Sequence, residues 1–271
     1  MYVKDSWYLG NYIEHEMKYP GRYGAKGEKR KKKTKPTPEQ IRRQNQYNRE
    51  VKYRRLLRFN FFPGDFWVTL KYKKGTRKTI EELRKDKDRF LRILREQYRK
   101  RGCRLKWIGR IEIGKRGGLH MHFAISRIPG EAHTDLLIRD AWRQVTDAGS
   151  IDYTTLHEQG GYENLAKYIT KQADEQVAGQ MELFPEEDRR QLLSVSCSRN
   201  LDRPQPVRKE YHHWTMRRIL QDGPKPTPGY YIDENSIVKG VNPFTGMSYY
   251  KYTEIRICPV DCREARGKPL T

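Results

Sequence analysis

A chain of 271 residues has room for one large domain or two small ones, and either can bury a core. No apolar run approaches the roughly 18–20 residues of a membrane span, and the start, MYVKDSWYLGNY, lacks the basic-then-apolar order of a secretory signal; a cytoplasmic protein is expected. With 56 Lys+Arg against 34 Asp+Glu the formal charge is +22, which points to nucleic acid as the partner and away from membranes and small-molecule substrates.

The charge is concentrated near the start. Residues 21–58 hold 15 Lys or Arg and 3 Asp or Glu, which is +12 of the total. The run Lys26–Pro36 has nothing apolar to bury and is expected to lack fixed structure when free. Lys29, Arg30, Lys31, Lys32 and Lys33 are therefore read as a phosphate-binding arm. A basic helix is predicted over 37–59, capped by Thr37 with Gln40 closing a capping box. Arg42, Arg43, Arg54 and Arg55 extend the DNA-binding surface along it.

The period changes at Phe66. FWVTLKY (66–72) alternates, with Phe66, Val68, Leu70 and Tyr72 on one face and Trp67, Thr69 and Lys71 on the other. A helix follows, opened by Thr79 and Glu82 and ended by Gly102, burying Leu83, Phe90, Leu91 and Leu94. KWIGRIEI (106–113) and LHMHFAIS (119–126) read as a hairpin around GKRGG. A helix over 131–145, a strand over 150–156, a helix over 161–173 and a strand over 192–198 complete the pattern. Pro- and Gly-rich linkers (RPQPVRK, GPKPTPG) then flank a short helix, with one hairpin in the last forty residues. This order predicts an α+β fold close to a ferredoxin-like split βαβ on an antiparallel sheet. The expected layout is a basic N-terminal helical arm (1–59), a central domain (60–200) and a small C-terminal extension (201–271).

Chemistry concentrates in the hairpin and the helix after it. His120 and His122 share one strand face with Ala124 and Ser126, while Leu119, Met121, Phe123 and Ile125 take the core face. Glu112, on the preceding strand, should lie roughly opposite the histidines, with Arg110 on the same face. A carboxylate and two imidazoles suit Mg²⁺, Mn²⁺ or Zn²⁺ and leave positions for substrate oxygens. In the 161–173 helix, Leu165, Ala166, Ile169 and Ala173 form a buried stripe that includes Tyr162. Asn164, Tyr168 and Lys171 fall beside it, so Tyr168 is the accessible phenol, with Lys171 to stabilise its anion or a phosphate. The cysteines, Cys103, Cys197, Cys258 and Cys262, match no common zinc module and are read as structural.

Thr69 in FWVTLKY, Glu112 with His120 and His122 in EIGKRGGLHMHFAIS, and Tyr168 with Lys171 in AKYITK together resemble the three ordered motifs of the HUH endonucleases. In particular they resemble the rolling-circle replication initiator (Rep) proteins of bacterial phages, plasmids and integrative elements. The resemblance covers residues 35 to 200. It implies a five-stranded antiparallel sheet in an HUH endonuclease domain, a divalent metal (Mg²⁺ or Mn²⁺) on Glu112, His120 and His122, and Tyr168 as nucleophile with Lys171 as its helper. The product would be a 5′-phosphotyrosyl link and a free 3′-OH on single-stranded origin DNA, possibly an extruded hairpin. Thr69, Arg110 and Asn164 are expected to contact that DNA. No GxxxxGK[ST] occurs, so a separate helicase and the host polymerase are expected partners. A single-strand transposase, a mobilisation relaxase and a non-catalytic nucleic-acid-binding module on a ferredoxin-like sheet are the competing readings.

Overall fold

A computed structural model describes residues 1–20, 30–114, 118–157, 159–171, 179, 181, 184–192 and 194–259. Lys29, Cys262, the tip of the 114–118 turn and Ala173 lie outside them. The protein is α+β, with two five-stranded antiparallel sheets in two compact units, Met1–Arg49 with Arg203–Thr271 and Glu50–Asp202. No helix among the described residues is long and apolar enough to cross a membrane.

The Glu50–Asp202 unit contains β3 (Phe66–Lys71), α2 (Ile80–Lys100), β4 (Trp107–Ile113), β5 (Leu119–Ile125), α3 (Thr134–Arg143), β6 (Ser150–Thr155), α4 (Glu163–Thr170), α5 (Glu186–Leu192) and β7 (Val195–Cys197). Its sheet runs β6-β3-β5-β4-β7, so β5, the strand bearing both histidines, is central. One face packs Val68, Leu70, Met121 and Phe123 against Leu83, Phe90 and Leu94 of α2 and Ile138 and Trp142 of α3. The predicted capping box opens α2: Thr79 Oγ1 accepts from the Glu82 amide at 3.2 Å and Glu82 accepts from the Thr79 amide at 2.9 Å. The opposite face is not left bare at its far end. Ile108 and Ala124 pack there against Ala166 and Ile169 of α4 and Leu56, Leu57 and Phe61 around the end of α1 (Pro38–Asn60). The 192–198 strand is shorter than its sequence suggests, because Leu192 closes α5 and only Val195–Cys197 pair with β4.

The other unit corrects the expectation of a helical arm and a separate C-terminal extension. Its sheet joins β1 (Tyr2–Leu9), β2 (Tyr12–Lys18), β8 (Val207–Tyr211), β9 (Tyr230–Asn242) and β10 (Met247–Arg256), in the order β8-β1-β2-β10-β9. Val3 stands opposite Glu210 and Glu14 opposite Thr253, so the two ends of the chain build one sheet. Its core is rich in tyrosine and methionine, with Tyr2, Met17, Tyr19, Met216 and Tyr250 buried together. The linkers are only partly linkers: RPQPVRK runs into β8, and α6 (Arg217–Asp222) is the short helix expected between them. The basic run is also held in place. Lys31 N donates to Gly246 O at 2.8 Å and Thr34 N to Pro243 O at 3.0 Å, tying the backbone to the β9–β10 turn. The α1 capping box is present, Gln40 N to Thr37 Oγ1 at 3.2 Å and Thr37 N to Gln40 Oε1 at 3.0 Å.

Candidate metal centre and nucleophile

Pairing of β4 with β5 puts Glu112 directly opposite His120 and Arg110 opposite His122, and β3 brings Thr69 opposite His122 from the other side. The strand alternation then gathers their side chains on one face. Glu112 Oε2 lies 3.0 Å from His122 Nε2 and 3.8 Å from His120 Nε2. The three residues offer ligand atoms within 4.8 Å of one another. One hard carboxylate and two imidazoles in a half-buried pocket fit a divalent cation with coordination positions to spare.

The rings are set by their surroundings. The Gly118 carbonyl, 3.3 Å from His120 Nδ1, can only accept, so the His120 proton sits on Nδ1 and Nε2 keeps its lone pair toward Glu112. Thr69 Oγ1 lies 3.0 Å from His122 Nδ1 and serves the second ring in the same way. Trp67 stacks flat on His122, with centroids 5.5 Å apart and planes 4° apart. Burial, and then the neighbouring His122, push the His120 pKa below its ordinary value, which favours the neutral ligand form. At Glu112, burial pushes the carboxyl up, but hydrogen bonds from His122 and Tyr168 together with the Arg110 charge outweigh it and bring it down to about 2. The carboxylate is ionised at neutral pH.

Tyr168 reaches this cluster from α4. Its hydroxyl donates to Glu112 Oε2 at 2.8 Å and lies 3.1 Å from His122 Nε2, while its ring meets Trp67 edge-on at 5.8 Å. The residue is 39 % exposed, whereas Ala166 and Ile169 beside it are buried, so the helix anchors by one face and offers the phenol from the other. Burial and then the Glu112 carboxylate raise the phenol's pKa, against an opposing effect of Arg110. Ionising it therefore needs a positive charge close by.

Both ends of α4 are gripped by arginines that the sequence pattern assigns elsewhere or not at all. Arg110, expected to contact DNA, is 6 % exposed, and its Nη1 donates to the carbonyls of Tyr168, Ile169 and Lys171 at 3.2, 3.3 and 2.9 Å. A guanidinium at a helix C-terminus satisfies unpaired carbonyls and complements the dipole. At the other end Gly160, Gly161 and Tyr162 all have positive φ (70°, 54° and 60°). Arg58 Nε donates to Gly161 O at 2.8 Å, and a Cβ on Gly161 would lie 2.4 Å from Arg58 Nη2, so that position must stay glycine. Tyr162 is buried, as expected, but it precedes the helix and caps it in a left-handed conformation; it does not lie on the helical stripe.

The other expected site residues are dispersed. Lys171 is exposed at the C-cap of α4, where the backbone has already left the helix (φ −51°, ψ 133°), and Asn164 is exposed one turn before Tyr168. Thr69 is engaged with His122. Arg30, Lys31, Lys32, Lys33, Arg42 and Arg43 are exposed, while Arg54 and Arg55 are half-buried. Trp67 is a site residue that the motifs do not single out. The signal for it is its place on the Thr69 face of an alternating strand, since a tryptophan there must pack on something polar.

No curated protein and no solved structure matches the chain. Residues 65–173, which contain β3 to α4, the ligand triad and Tyr168, match the family model of the replication-associated protein ORF2, a family of rolling-circle replication initiators.

Proposed function

We propose that the protein starts rolling-circle replication by nicking single-stranded origin DNA, with Tyr168 as the nucleophile. The observation that carries this reading is the Tyr168 hydroxyl, 2.8 Å from Glu112 Oε2 and 3.1 Å from His122 Nε2, at the only potential metal-ligand cluster among the described residues. A central β5 bearing both histidines, with helices on both faces, fits the ferredoxin-like HUH arrangement. Glu112, His120 and His122 would hold Mg²⁺ or Mn²⁺, whose charge polarises a phosphodiester when bound. The Tyr168 oxygen forms a bond to phosphorus and the P–O3′ bond breaks. The phenolic proton passes to solvent, and the 3′ oxygen takes one up as it leaves. The products are a 5′-phosphotyrosyl link and a primer 3′-OH for the host polymerase. Lys171 offsets charge on the attacked phosphate, and Asn164, exposed on the same helix, holds the strand. A separate helicase supplies unwinding.

The test uses the full chain, a single-stranded oligonucleotide library and Mn²⁺. The expected result is a denaturation-resistant adduct that chelator prevents and that maps to Tyr168. An adduct on Tyr162 or on any residue outside 161–173, or undiminished cleavage with excess chelator, would refute the reading.

A further inference from the structure

The first half of α1 is exposed on every side. Each residue from Pro38 to Asn45 is exposed, and the apolar Ile41 is 44 % exposed. The helix persists because its second half is anchored by buried Val51, Leu56 and Leu57. A helix that is polar all round has no packing reason to project into water. Within 30–49 there are eight Lys or Arg and one acidic residue, Glu39.

The kind of side chain is informative beyond the charge. Arg42, Asn45, Gln46 and Arg49 fall at i, i+3, i+4 and i+7, on one face. The opposite face carries Tyr47, whose ring lies 4.8 Å from Lys251 Nζ. Lysines would suffice for phosphate binding. Arg pairs in bidentate fashion with guanine and Asn or Gln with adenine, at edges displayed in the major groove of B-form DNA. That groove, about 12 Å wide, admits an α-helix of about 10–12 Å diameter.

The basic ribbon before the helix is placed rather than trailing. Its two backbone bonds to the β9–β10 turn depend on Gly246, where a Cβ would lie 2.1 Å from Lys31 O. Lys31, Lys32, Lys33 and Lys35 are exposed from a tethered backbone just ahead of the helix.

We infer that residues 38–49 of α1 form a recognition helix that enters the major groove of duplex DNA and reads its sequence, with residues 30–35 on the flanking phosphates. That this duplex is a replication origin rests on the nicking reading; the duplex-binding site itself does not.

The experiment selects binders from a random duplex library with the full chain, then measures affinities by fluorescence anisotropy at several salt concentrations. An enriched sequence is expected. Asn45→Ala and Gln46→Ala, which raise helix propensity and so keep the fold, should each lower affinity for that sequence about 5- to 100-fold and relax preference at one position. Lys32→Gln should weaken all duplexes alike and reduce the salt slope by about one. The inference is overturned by no enriched sequence, by one indifferent to both substitutions, or by tighter binding to single strands or duplex RNA. Adduct formation by the unaltered protein on single-stranded DNA is scored separately, so its failure sinks the nicking reading and leaves the duplex result standing.

Discussion

Replacing Arg110 by methionine removes every donor at the end of α4 and keeps most of the side-chain volume. One Nη1 group has two protons, so its three carbonyl contacts amount to about two effective hydrogen bonds. A hydrogen bond to a charged group contributes about 1.5–3 kcal/mol net. Part is recovered, because the Tyr168 carbonyl also accepts from Lys171 N at 3.2 Å and water can reach a helix end. The expected loss is about 2–4 kcal/mol. It should fall locally, since an eight-residue helix is well below the roughly 12–15 residues at which isolated helices become even marginal. Amide exchange over 163–170 should accelerate about 30- to 1000-fold, at about 1.4 kcal/mol per factor of ten, while β3 and β5 change little. Adduct formation should slow at least about tenfold with Tyr168 and the ligands untouched, a loss of orientation of the kind that costs that much or more. Arg110→Lys should recover part of the protection, because it restores the charge without the fork. Unchanged exchange over 163–170, or equal acceleration across the whole unit, would refute the anchoring role.

Further tests follow from other contacts. Tyr168→Phe should abolish the covalent adduct with a stability change within about 1 kcal/mol, as for one half-exposed hydrogen bond, whereas Tyr162→Phe should keep the adduct; a retained adduct in the former would discard the nucleophile. Thr69→Val should weaken Mn²⁺ binding, read by electron paramagnetic resonance, about 10- to 100-fold by freeing the His122 ring, and Thr69→Ser should restore it; equal affinities would exclude the orienting contact. In the tyrosine-rich unit, His15 is 4 % exposed, with Nδ1 2.8 Å from Ser6 Oγ and Nε2 3.4 Å from Glu254 Oε1. Burial first, against Glu254, holds its pKa below the ordinary 6.5, so the unfolded chain takes up a proton that the folded chain resists. Glu254 is pushed up by burial but held below 4.5 by the bonds from His15 and Thr227. Both therefore make this unit lose stability as pH falls, first below 6.5 and again below 4.5. Its urea midpoint should drop between about pH 7.5 and 5.5, less so in His15→Gln, and a flat midpoint in the native chain would contradict this.

What the sequence revealed and what it concealed divide by the range of the interactions. The hairpin is local: alternation fixes which side chains share a face, and a short turn limits the register, so Glu112 opposite His120 is legible from the order of residues alone. The tyrosine-rich sheet is not. Its strands pair Val3 with Glu210, and Asp5, Ser6, Glu14 and His15 are buried within them, so neither proximity nor alternation marks them as strands. Arg110 shows the same limit at a single residue. Alternation predicts its face, but its occupation depends on the carbonyls of a helix 58 residues away, and three nearby acceptors in a buried setting outcompete a solvated phosphate.

The site itself arises from one sheet face used two ways. Along β4 and β5 the face passes from Ile108 and Ala124, under α4, to Glu112 and His120 at the open end. A helix laid on the apolar part must end where the polar part begins, since its last carbonyls need donors and the apolar strand has none. Arg110 supplies them from the boundary between the two parts, directly across from His122. Burying Ala166 and Ile169 then leaves the phenol of Tyr168 directed over the edge of the core, against Trp67 and onto the ligand cluster. The nucleophile is thus placed by the same apolar burial that stabilises the unit. Substitutions that enlarge Ala166 should therefore displace the Tyr168 hydroxyl from Glu112 before they unfold the protein.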